Sequence, residues 1–69
     1  NPFHDKIRIT SEEAIYRLEV FDLTGKLIVE KSIQNQKSSV LNLEGLPGSA
    51  ILRATFKNGN SQKMVVVKQ

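Results

Sequence analysis

Apolar and polar residues alternate with a period of two along most of this chain, and clusters of turn-forming residues interrupt the alternation at short intervals. Successive side chains of an extended backbone point to opposite sides, so this period predicts strands with one face toward a core. Ile7 and Ile9 alternate with Arg8 and Thr10, and Ser11, Glu12 and Glu13 then predict a polar turn. The alternation resumes from Ile15 to Phe21, with Tyr16, Leu18 and Val20 expected on one face and Arg17 and Glu19 on the other. Helical spacing fits this segment worse, because charged residues fall between the apolar ones.

Asp22, Leu23, Thr24, Gly25 and Lys26 predict a sharp turn, in which the Asp carboxylate bonds backbone N–H groups two residues on and Gly25 takes positive φ. Leu27, Ile28 and Val29 open the next strand, which runs on to Ile33 and pairs with the preceding one as a hairpin. Gln34 to Ser39 is wholly polar and is expected to be a mobile loop. Val40 to Leu43 predict a short strand with Leu41 and Leu43 inward. Glu44, Gly45, Leu46, Pro47 and Gly48 predict a tight corner, Pro47 fixing φ and the glycines admitting unusual backbone angles. Ala50, Leu52, Ala54 and Phe56 then alternate with Ile51, Arg53, Thr55 and Lys57. Asn58 and Gly59 are a strong hairpin signal, with Gln62 to Lys68 as the partner strand. The three consecutive valines of that strand, Val65, Val66 and Val67, predict burial on both faces or an edge covered by something else. Six strand-like runs separated by turns predict an all-β fold, an immunoglobulin-like antiparallel β-sandwich of about six to seven short strands.

Sixty-nine residues suffice for a single domain. A domain of this size buries only about 60% of the surface its unfolded chain exposes, so marginal stability is expected. Disulfides are excluded, because there is no cysteine, and the only histidine is His4. No cofactor and no metal is expected. The net charge of +3 is mild and spread along the chain, and four aromatic residues (Phe3, Tyr16, Phe21, Phe56) give no stacking platform, so no nucleic-acid partner is expected. No apolar run approaches the ~20 residues of a membrane-spanning helix, so no direct membrane insertion is expected. The chain opens at Asn1 without a methionine or a basic-then-apolar leader, which predicts a piece excised from a longer secreted protein.

Four motifs stand in a fixed order: Asn1-Pro2 at the start, Asp22-x-x-Gly25-Lys26 after the second strand, Leu43-x-x-Leu46-Pro47, and Lys63 to Lys68 as a Lys-flanked apolar strand. In that order and spacing they resemble the C-terminal sorting domain of the type IX secretion system of Gram-negative bacteria, in its type A form. The resemblance covers essentially the whole chain, residues 1–69. It departs from the family pattern where Gly48 precedes Ser49 and Ile51 stands in place of the usual Tyr. The resemblance implies a folded signal, recognised by the outer-membrane translocon after its cargo has reached the periplasm. It further implies export to the cell surface or beyond, and usually removal of the domain by a sortase-like surface peptidase. The residues it singles out for recognition are Lys63, Val65, Val66, Val67 and Lys68; those of the turns are Asn1, Pro2, Asp22, Gly25, Lys26, Leu46, Pro47 and Gly48.

Each of these residues also has a plainer reading. Asp22 and Gly25 are what a tight turn requires, and Lys63 and Lys68 are also what keeps an apolar edge strand soluble. Asp5, Glu12, Glu13 and Glu30 have no base or nucleophile at a useful spacing, and Ser38 and Ser39 have no histidine to activate them. No catalytic residue is expected. A structural immunoglobulin-like or fibronectin-like accessory module of a secreted enzyme or adhesin is the alternative reading. A carbohydrate-binding module ranks below both, for want of exposed aromatics. Edge-to-edge self-association through the terminal strand is also open to such a sequence.

Overall fold

The computed structural model describes residues 2–3, 5–46 and 48–68 and is all-β. Five strands form it: β1 (Pro2–Phe3), β2 (Lys6–Phe21), β3 (Leu27–Asn42), β4 (Ser49–Phe56) and β5 (Ser61–Lys68). They make one sheet in the order β1-β5-β4-β2-β3, antiparallel except where β1 lies parallel to the end of β5. Asn1, His4, Pro47 and Gln69 lie outside the described residues.

Two of the expected turns prove to be bends within long strands. Ser11 to Glu13 belongs to β2, and Gln34 to Ser39 to β3, which corrects both the predicted turn and the predicted mobile loop. The pairing explains the bends. Thr10 pairs with Ser38 and Ile15 with Gln36, so four residues of β2 oppose only Lys37. Ile15 then pairs with Gln36 and Arg17 with Ser32, so three residues of β3 oppose only Tyr16. Extra residues in one strand bend a ladder and increase its twist, and Asn35 absorbs part of the bend with a φ of 58°. A straight strand of 16 residues would span about 50 Å, whereas the longest dimension of the molecule is 31 Å. The sheet therefore folds over on itself.

Folding over encloses the core. Ile7, Ile9 and Leu41 from the first leaf join Leu18, Val20, Ala50, Leu52, Ala54 and Val66 from the second in one buried cluster, with Ile15 and Ile33 at the bend. The bend also changes which positions face inward: Ile7 and Ile9 before it, Leu18 and Val20 after it. The expectation for Tyr16 fails for this reason. Its side chain is exposed and Ile15 is the buried neighbour. At the open rim the Lys31 ammonium donates a 3.0 Å hydrogen bond to the Val40 carbonyl, tying the two leaves of β3 together. The single bent sheet of five strands replaces the six to seven separate strands expected, because two pairs of neighbouring runs are continuous through the bulges.

Candidate functional site

The turn after β2 is built by one carboxylate. Asp22 Oδ1 accepts hydrogen bonds from Thr24 N at 2.9 Å, Thr24 Oγ1 at 2.6 Å and Lys26 N at 2.9 Å. These donors hold the Asp22 pKa below its ordinary value, the Thr24 hydroxyl contributing most and the Lys26 amide next. Gly25 has a φ of 94°, a left-handed conformation that a side chain would resist, although nothing lies within 4 Å of where its Cβ would stand. The plainer reading of Asp22, Gly25 and Lys26 thus accounts for the turn residues: they close the β2–β3 hairpin. At the next corner Gly45, not Gly48, carries the positive φ, and Leu46 N donates to Leu43 O at 3.1 Å. Leu46 is buried in the core cluster, so its part in that motif is packing. Pro47 of the same motif, like Asn1 of the first, lies outside the described residues.

The terminal strand presents two different faces. Val66 is buried, whereas Val65 and Val67 are exposed on the outer side together with Lys63. Burial on both faces, one of the two expectations for the valine run, is not what the structure has. Instead β1 pairs with the end of this strand, Pro2 opposite Val67 and Phe3 opposite Lys68, so the chain's own beginning covers the edge there.

The outer face of the sheet is ordered in rows. Glu30, Glu19, Arg53 and Lys63 lie side by side on β3, β2, β4 and β5; the adjoining row is Leu27, Phe21, Ile51 and Val65. Glu19 is buried although charged, and it is paired. Arg53 Nε donates to its Oε1 at 2.9 Å and Arg53 Nη2 lies 2.8 Å away, with Arg17 Nε at 3.6 Å. The Arg53 guanidinium also stands 5.2 Å from the centre of the Phe21 ring. Phe21, Gly25, Ile51, Arg53 and Lys63 line a shallow cleft of about 230 Å³. The structure therefore brings Gly25 of the turn motif and Lys63 of the terminal motif to one place. Sequence reasoning missed Glu19, Phe21, Ile51 and Arg53 as members of it. Their alternation was visible, but only the cross-strand register shows that they adjoin.

A second cleft, of about 420 Å³, lies at the bend between Ile15, Tyr16, Ile33, Gln34, Asn35 and Lys57. No group of three or more His, Cys, Asp or Glu residues placed to hold a metal occurs among the described residues. No helix among them is long and apolar enough to cross a membrane.

Such a module, a small bent sheet with an ordered outer face and a chain end locked by its own beginning, is built for recognition. Residues 1–68 match the family model described as the secretion system C-terminal sorting domain, and the chain belongs to that family. The family is one of sorting signals for type IX secretion and is not an enzymatic one. Membership implies interaction with the secretion machinery and export across the outer membrane to the cell surface or the extracellular space. No curated protein matches the chain.

Proposed function

We propose that this chain is a folded secretion signal with no chemistry of its own, read by the outer-membrane translocon while its cargo is in the periplasm. After export a sortase-like surface peptidase removes it and the cargo is attached at the cell surface. The 69 residues act as one domain at the end of a longer secreted protein. The observation that carries this reading is the family match over residues 1–68. The terminal strand supports it: Lys63, Val65 and Val67 are displayed outward, while Val66 anchors the strand in the core. In this reading Lys63 and the Val65–Lys68 segment carry recognition, and Asn1, Pro2, Asp22, Gly25, Lys26, Leu46, Pro47 and Gly48 shape the fold that presents them. The six alternating runs fit an immunoglobulin-like sandwich whose neighbouring strands have fused through bulges.

The test is a fusion of the chain to the end of an inert periplasmic reporter in a strain carrying the secretion system. Deleting Val67, Lys68 and Gln69 should hold the reporter in the periplasm. Surface display that survives the deletion contradicts the reading and favours a structural accessory module.

A further inference from the structure

We propose that the outer face of the sheet, centred on Phe21, Ile51 and Val65 with Lys63 at its margin, is the docking surface for a protein of the secretion machinery. The matching surface on that protein presents apolar side chains beside a carboxylate. This rests on the sorting-signal reading and specifies which face is read and by what chemistry.

Apolar side chains on the solvent side of a sheet are what a small soluble domain avoids unless a partner covers them. Here they form a continuous row across four strands, Leu27, Phe21, Ile51 and Val65. Leu27 and Val65 are among the exposed large apolar residues, and Val67 extends the patch along β5. The core is already filled from the opposite face by Val20, Leu52 and Val66, so these outward residues contribute nothing to it.

The charges beside the row select the partner. Arg53 spends Nε and Nη2 on Glu19, which pins the guanidinium over the Phe21 ring and fixes the floor of the cleft. Lys63 stands next to Arg53 on the far side from Glu19, and it has no acidic partner among the described residues. One wall of the 230 Å³ cleft is thus apolar, from Phe21 and Ile51, and the other cationic, from Arg53 and Lys63. A carboxylate seated there meets a lysine ammonium not already neutralised, while neighbouring apolar groups cover Ile51 and Val65. The net charge of +3 favours the same sign of partner. Backbone pairing to the edge of β5 would read no side chain of this face, so the two modes of recognition are separable.

The experiment uses the reporter fusion with three substitutions. Lys63→Glu reverses the cleft's unneutralised charge at an exposed position, and Ile51→Glu places a charge in the apolar row. Tyr16→Ser alters an exposed aromatic residue at the bend, away from this face. Surface reporter should fall at least about tenfold for Lys63→Glu and Ile51→Glu, as expected for residues at the centre of a protein interface, and stay at the wild-type level for Tyr16→Ser. Thermal melts of the purified domains check folding; should Ile51→Glu fail to fold, Ile51→Thr replaces it. Wild-type export with undiminished export of Lys63→Glu and a folded residue-51 variant overturns the docking face alone. A wild-type fusion that never leaves the periplasm overturns the sorting reading, and the docking face falls with it.

Discussion

Removing either member of the Glu19–Arg53 pair should have unequal consequences, and the inequality follows from burial. The Glu19 side chain is 8% exposed and that of Arg53 33%. Arg53→Ala leaves a carboxylate shut away from water with only Arg17, 3.6 Å off, to answer it. Stranding a buried charged group costs about 1–3 kcal/mol, and loss of the guanidinium contact with Phe21 adds about 0.5 kcal/mol at a partly exposed site. The expected loss is therefore about 2–3 kcal/mol. Glu19→Ala leaves an arginine that water can reach, and about 1 kcal/mol or less is expected, the worth of a partly exposed pair. For a domain of this size the total stability is roughly 3–10 kcal/mol, and each kcal/mol shifts Tm by about 4–8 °C. Circular dichroism melts at pH 7 should accordingly show Arg53→Ala falling by roughly 10–20 °C and Glu19→Ala by less than half of that. The double variant should resemble Glu19→Ala, since the stranded charge is gone. Equal losses, or a larger loss for Glu19→Ala, would refute the view that a buried carboxylate is held by its arginine.

Three further outcomes follow from the same structure. Leu18→Ala, at a fully buried site on β2, should cost about 2–5 kcal/mol and leave much of the domain unfolded at 25 °C, read from the urea midpoint. Asp22→Ala should lower Tm at pH 7 and much less at pH 2.5. The folded-state pKa of Asp22 is depressed, so its contribution is present above its unfolded value near 3.8 and is lost as pH falls through the lower folded value; a loss of Tm independent of pH would count against the three-bond turn. Lys31→Ala should cost about 0.5–1 kcal/mol by releasing the Val40 carbonyl at the rim, with faster amide exchange around Val40, and unaltered exchange there would show that the tie is not formed.

The parts of this fold that were readable in the sequence are those set by local chemistry. Asp22 and Gly25, and Asn58 and Gly59, dictate their turns through a side-chain acceptor and a left-handed glycine, whatever surrounds them. Leu18, Val20, Leu41, Leu43, Ala50, Leu52 and Ala54 face inward as their alternation predicts. The bends were not readable. Ser11, Glu12 and Glu13 are polar because the bulge there carries them past the end of the pairing with Thr10, and turns and bulges share that composition. Gln34 to Lys37 lies on the outermost strand and is exposed throughout, so no buried side marks it as a strand. The site was half readable. Lys63 and Gly25 stood out by motif, whereas Phe21, Ile51 and Arg53 join them only through a register joining residues more than 25 positions apart in the sequence.

The location of a reporter carrying the intact chain, compared between a secretion-competent strain and one lacking the outer-membrane translocon, tests the central claim most directly. The reporter should reach the surface or the medium in the first and stay periplasmic in the second. Periplasmic retention in both strains, with the domain folded, would contradict the claim.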